Sequence, residues 1–233
     1  MWRNALLLVA SLCVMNVQAA GLPPAFKANY VVKKGPFALG HSTRELRYGE
    51  NRELVFVSSS DASGLVSLLF SEQIRETSRL KQDGERVMPL AYEYQRKGRR
   101  DRIISQQFDW KAGSVTSQIN DAVYTYALHP DALDQSGYLV NLMIDLAKGA
   151  RDISYNVARR GEMRTYDIEH LRDERLDTVL GELDTVVIQR KAKQTTTMWC
   201  AYDLHFLPVK IQHEEKGGVF TAYLESVEGL QRP

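Results

Sequence analysis

From Thr178 to Val227 the chain alternates apolar and polar residues with a period of two. Val186 and Ile188 share one side, as do Met198, Cys200 and Tyr202, then Val209 and Ile211, then Phe220, Ala222 and Leu224. An extended strand points successive side chains to opposite faces, so this period marks half-buried strands. The gaps Lys193-Gln194, Asp203-Leu204-His205 and Lys216-Gly217-Gly218 are polar and short, the length that joins antiparallel neighbours. The C-terminal end therefore reads as a meander, and it carries no catalytic or ligand motif.

The same pattern begins early. Phe26, Ala28, Tyr30 and Val32 share a side before Gly35-Pro36 breaks the run, and Leu39 to Tyr48 is answered across Gly49-Glu50-Asn51 by Glu53 to Ser59. Ile74 to Gln82, Met88 to Lys97, Arg102 to Asp109 and Ser114 to Ile119 read as four more strands. Asp83-Gly84, Gly98 and Ala112-Gly113 are their turns. Ile153 to Arg159, the Arg160-Gly161 turn and Met163 to His170 lead into the closing meander.

Two stretches change period. Leu65, Leu68 and Leu69 fall on one helical face behind Asp61 or Ser63 as a cap, although the run is short enough for a buried strand to be the alternative. Tyr138, Leu139, Leu142, Met143 and Leu146 recur at helical spacing after Asp134 or Ser136, and Lys148-Gly149 ends the run. About a dozen strands, one or two helices and no βαβ alternation predict a mainly β fold. The expected form is one large curled antiparallel sheet, a half-barrel, with the helices on its concave face. In it Trp199 should be at least half buried and Leu139 nearly fully so.

The N-terminus is excluded from that fold. Arg3, the apolar run from Ala5 to Val17 and Val17-Gln18-Ala19 have the form of a cleaved secretory signal covering residues 1–19, with residues 20–233 as a single domain. The apolar run is well short of the roughly 20 residues of a membrane span. Cys13 follows the bulky Leu12, against lipoprotein acylation. No transmembrane segment is expected after cleavage, and the location implied is the periplasm. Lys plus Arg number 30 against 29 Asp plus Glu, and loss of Arg3 leaves the two equal, which argues against a nucleic-acid partner and against a broad polybasic membrane surface. Of the two cysteines, Cys13 leaves with the signal and Cys200 is left as a lone thiol expected to be buried and inert.

Chemistry-bearing patterns are sparse. The five histidines have no metal-ligand spacing, and no nucleophile elbow, P-loop or dinucleotide fingerprint is present, so neither metal nor cofactor is expected. Asp131 and Asp134 are spaced as a carboxylate pair, but capping the helix that follows is the simpler role. Lys97-Gly98-Arg99-Arg100-Asp101-Arg102 is the densest basic run. It falls on a hairpin tip, where a solvated turn is the plainer reading and contact with lipid headgroups or another polyanion the functional one.

Several motifs occur together in an order that carries a resemblance. They are Tyr30 to Gly40 with its late glycines, Ser78-Arg79 before Pro89, Phe108-Asp109-Trp110, Asp134-Gln135-Ser136, Thr178 to Val186 around Gly181, and Trp199-x-Ala201-x-Asp203 followed by Leu207-Pro208-Val209-Lys210. In this the chain resembles the domain of unknown function 3108 family over nearly its whole mature length, with Leu80 standing where the family often has glycine. The resemblance implies an exported bacterial protein with a half-barrel similar to the lipoprotein carriers. It brings no catalytic residues, and it assigns Gly181 and Pro208 structural roles.

The leading expectation is a non-enzymatic periplasmic protein that holds an apolar or lipid-like ligand or docks an envelope protein. The candidate ligand-facing residues are Leu65, Leu68, Leu69, Tyr92, Tyr94, Leu139, Leu142 and Met143, the helices acting as a lid over the strand faces. The alternatives are an envelope enzyme acting on cell-wall or polysaccharide material through Asp131 or Asp134, and a structural or assembly factor of the outer membrane.

Overall fold

The computed structural model describes residues 21–62, 72–98, 100–192 and 194–230. The signal-like segment and the candidate residues Leu65, Leu68 and Leu69 lie outside the described residues. The strands are β1 (Phe26–Lys34), β2 (Phe37–Tyr48), β3 (Glu53–Ala62), β4 (Gln73–Asp83), β5 (Arg86–Lys97), β6 (Arg102–Asp109), β7 (Ser114–Ile119) and β8 (Ala122–Ala127). Then come the two-residue β9 (Ala132–Leu133), the helix α1 (Tyr138–Ala147), β10 (Ile153–Arg159), β11 (Glu162–Thr178), β12 (Gly181–Arg190), β13 (Thr195–Ala201), β14 (Leu207–Glu215) and β15 (Gly218–Glu228).

All 15 strands belong to one sheet, in the order β8-β7-β6-β5-β4-β3-β2-β1-β15-β14-β13-β12-β11-β10-β9. Each strand pairs with its sequence neighbour, and β1 pairs with β15, so the order is a ring cut between β8 and β9. All ladders are antiparallel except β9 with β10. The cut margins are close in space because β8 and β9 are joined only through residues 128–131, and four extended residues reach no further than about 14 Å. Across the gap, Ala158 of β10 is buried in one cluster with Tyr92, Phe108 and Val115, against which Tyr126 of β8 and Met163 of β11 pack. Side chains, not a ladder, bring the margins together. This is the curled half-barrel expected from the alternation, with two strands, β8 and β9, that the alternation did not single out.

Helix α1 sits inside the curl. Tyr138 through Ile144 and Leu146 are all buried, leaving only Asp145 and Ala147 more open. A helix apolar all round is one enclosed by protein; the expected stripe is only the part of that surface most evident in sequence. Asn141 ties it to the sheet: its Nδ2 donates to the Val87 carbonyl (2.8 Å) and its Oδ1 accepts from the Val87 N–H (3.0 Å). Asp145 accepts from the Tyr155 hydroxyl at 2.7 Å and pairs with Arg86 at 3.2 Å. The helix ends where Gly149 takes a φ of +82°, the left-handed conformation that favours glycine.

Around α1 the inward positions are Leu46, Leu54, Phe56, Leu80, Val87, Ile153, Tyr155, Ile168, Val186, Ile188 and Met198, all in the main core. Leu139 is 8% exposed and Trp199 5%, both as expected; Trp199 lies on the face opposite Met198 and Cys200, so β13 is buried on both sides. Cys200 is fully buried, and burial pushes its thiol well above the usual range.

Candidate functional site: an arginine-lined end of the half-barrel

α1 occupies only one end of the curl, near the β4–β5 turn and the start of β10. At the opposite ends of the same strands the inward positions are polar. Arg44 lies two residues from Leu46 on β2, Glu76 two from Ser78 on β4, Arg159 two from Val157 on β10, and Arg190 two from Ile188 on β12. The ladders bring these into one concavity, with Arg44 opposite Ser58, Ser58 opposite Glu76 and Glu76 opposite Tyr94.

Two cavities open there. One, about 390 Å³, is lined by Arg159, Arg160, Arg164, Arg190, Ala192 and Gln194. The other, about 170 Å³, is lined by Glu76, Tyr92, Tyr94, Arg102, Ile104 and Gln135, and shares Arg159 and Arg160 with the first. Arg164 is paired with Glu162. Arg159, Arg160 and Arg190 make no ion pair with any described carboxylate. Arg190 donates to Thr196 Oγ1 at 3.3 Å and lies 4.2 Å from the Tyr166 ring centroid. Yet Arg159 Nε and Arg190 Nε, like Arg44 Nη1, are buried without a hydrogen-bond partner among the described residues. Donors in that state are uncommon in native proteins and mark a place where an acceptor is wanted. Burial, and then the neighbouring Arg159 and Arg102 guanidiniums, lower the Arg160 pKa, as unneutralised crowding of like charges requires.

Among the described residues Glu76 is the one carboxylate lining these two cavities. It accepts from the Tyr92 hydroxyl at 2.8 Å. Burial raises its pKa, against the lowering effect of that bond and of Arg44 and Arg159. Burial and then Glu76 push the Tyr92 hydroxyl far up, and burial raises Tyr94.

The expected carboxylate pair is not assembled. Asp131 is exposed, on a small cavity beside Trp110 and Asn141. Asp134 is fully buried, and its Oδ1 accepts from Ser78 Oγ (2.6 Å), Ser136 N (2.9 Å) and Gly137 N (2.6 Å). It fastens the turn entering α1, close to the expected capping role, and burial raises its pKa above the usual carboxylate value. Its Oδ2 is buried without a hydrogen-bond partner among the described residues, but the group lines neither of the two cavities and is shut away from solvent. Among the described residues no group of His, Cys, Asp and Glu could hold a metal ion.

Of the candidate ligand-facing residues, Tyr92 and Tyr94 are brought together on the second cavity. Leu139, Leu142 and Met143 are packed in the core around α1 and line neither cavity. Glu76, Arg159 and Arg190 were not singled out in the sequence, since a lone charge on a strand carries no motif. The available signal was parity, since Arg44, Glu76, Arg159 and Arg190 stand where the inward apolar residue of their strand is due.

The sequence motifs prove to be structural partners of one another. Ser78 bonds Asp134, and Trp110 Nε1 donates to the Pro89 carbonyl at 2.7 Å. Asp109 Oδ1 holds the Lys111 and Ala112 amides of the turn at 3.0 and 2.8 Å. Thr178 Oγ1 bonds the Gly181 carbonyl and the Leu180 amide at 2.7 and 3.1 Å, with Gly181 at φ +92°. Lys210 stands 4.0 Å from the Trp199 ring centroid, and the Pro208 carbonyl accepts from the buried Tyr30 hydroxyl at 2.8 Å. A register shift falls between Arg79 and Leu80, so the strand is bulged there.

Comparison with known proteins agrees with this architecture. The crystal structure of a β-barrel-like protein of the domain of unknown function DUF1849 from Brucella abortus matches with a TM-score of 0.57 at 8% identity, covering 89% of this chain and 98% of its own. At that identity the likeness concerns the fold alone. No curated protein matches the chain. The model of the protein family of unknown function DUF3108 matches residues 29–225, which include every motif named above, and the chain belongs to that family.

Proposed function

We propose that the protein is an exported, non-enzymatic binding protein of the periplasm whose half-barrel receives its ligand at the arginine-lined end, where Arg159, Arg160 and Arg190 hold an anionic group. The observation that carries this reading is the convergence, among the described residues, of three guanidiniums, two with unpartnered buried donors, on a cavity with no carboxylate in its described lining. Guanidinium forks match the oxygens of phosphate and carboxylate groups, and each such charged hydrogen bond is worth about 1.5–3 kcal/mol. The lipid-like ligand expected from the sequence fits this only through its headgroup. The apolar half is filled by α1, so an acyl chain would enter only by displacing Leu139, Leu142 and Met143.

The test is calorimetric titration of the protein with dodecyl phosphate and with dodecyl maltoside, for wild type and for Arg190→Ala. The phosphate should bind in a salt-dependent manner and the neutral detergent much more weakly. Arg190→Ala should lose about tenfold or more in affinity. Equal binding of the two detergents, or none, would remove the anion site from consideration. The export component is separate and is checked by N-terminal sequencing of the protein from periplasm, which should begin at Ala20 or Gly21.

A further inference from the structure

Resting on that reading, we infer that the ligand is an acidic sugar, its anionic group on Arg159, Arg160 and Arg190 and its neutral, hydroxyl-bearing ring in the adjoining compartment formed by Glu76, Tyr94 and Gln135. The two cavities share the Arg159 and Arg160 walls. A group held on one side of those guanidiniums therefore has its next atoms at the mouth of the other. At about 170 Å³ the second compartment is more than ten times what a single water requires, roughly 10–15 Å³. That is room for a ring.

The lining chemistry selects among rings and chains. Glu76, whose Oε2 already accepts from Tyr92, sets a carboxyl group among Arg102, Arg159 and Arg160, so this compartment is polar and mixed in character where the first is cationic. An acyl chain finds only Ile104 and the tyrosine rings, and would leave Glu76, Gln135 and Arg102 desolvated and unanswered. A sugar ring satisfies both kinds of wall. Its hydroxyls meet the carboxyl group, the planar amide and the guanidiniums with donors and acceptors, and its C–H face lies on Tyr94. The anion on that sugar is a phosphate or a carboxylate, which the arginines accept alike.

Titrations of the full mature chain with inorganic phosphate, glucose 6-phosphate, glucuronate, glucose and dodecyl phosphate separate the components. We expect glucose 6-phosphate or glucuronate to bind at least tenfold tighter than phosphate, and glucose alone to bind weakly. Whichever of the two acids is tighter identifies the anion. Gln135→Ala and Tyr94→Ala should each reduce that sugar to the affinity of phosphate while leaving phosphate binding unchanged, a result that general unfolding cannot imitate. If phosphate binds but neither sugar acid improves on it, the inference fails and the arginine site stands. If dodecyl phosphate outbinds both sugar acids and is indifferent to Gln135→Ala, the second compartment is no sugar site. If no anion binds at all, both the inference and the reading beneath it fall.

Discussion

The two ends of this half-barrel are built from the same strands and differ in what fills them. At one end the inward row is Leu46, Phe56, Leu80, Val157 and Ile188, closed over by a helix buried on nearly every side. At the other, one or two alternations further along β2, β4, β10 and β12, the row is Arg44, Glu76, Arg159 and Arg190, the last three lining open cavities. Facing inward is thus not the same as being core. The strand period decides the side; the supply of apolar cover, here the short helix α1, decides how much of that side is dry.

If that contrast is right, substitutions at the two ends should differ in size and even in sign. The largest effect belongs to the helix end. Leu142→Ala, at a fully buried position, should cost about 2–5 kcal/mol in denaturant unfolding, the range for truncating a core leucine. A loss under half a kilocalorie would mean that α1 does not dock in the curl.

Next in size is Asn141→Leu. It removes both bonds to Val87 and strands a buried N–H and carbonyl at the start of β5, for an expected loss of about 1–3 kcal/mol. Equal stability of wild type and variant would show that water replaces the side chain and that the helix end is less dry than described.

At the arginine end the sign should turn. Arg159→Met removes one of several crowded cations, and Arg159 makes no ion pair with any described carboxylate. It should leave stability within about 1 kcal/mol of wild type, with any gain greatest at low ionic strength and fading as salt screens the repulsion. A large loss insensitive to salt would make Arg159 a structural residue.

The smallest effect is one of pH. Burial raises the Glu76 pKa in the folded protein, so folding disfavours the ionised form. The stability linked to protonated Glu76 is fully present below its unfolded value of about 4.3 and is lost as pH rises through the raised folded value. Glu76→Gln, which does not titrate, should therefore match wild type in thermal melts near pH 4 and exceed it near pH 7. A difference independent of pH would place Glu76 in a more solvated setting than its contacts imply.

How much of this was legible beforehand depends on the range over which each feature is decided. Strand β5 could be read from Leu90, Tyr92 and Tyr94, and the end of α1 from Lys148-Gly149, because period and turn chemistry act over a few residues. Strand β8 escaped notice because five of its six residues are exposed, the sixth only half so, and no buried face imprints a pattern on it. Strand β11 runs on to Thr178, past the expected His170, through a charged stretch. There Asp173, Glu174 and Arg175 are held as strand by pairing with Val186, Thr185 and Asp184, not by propensity of their own.

The sequence alone therefore determined the class of fold, the elements of strongest periodicity and the motifs that carry the family, since these rest on local backbone preference and on contacts between near neighbours. Only the tertiary structure decided that Arg44, Glu76, Arg159 and Arg190 meet, and that Asp134 turns to Ser78 while Asp131 faces solvent. Those encounters depend on how tightly a wide sheet curls and where its margins come together, which is set by the summed twist of 15 strands and by no single stretch of the chain.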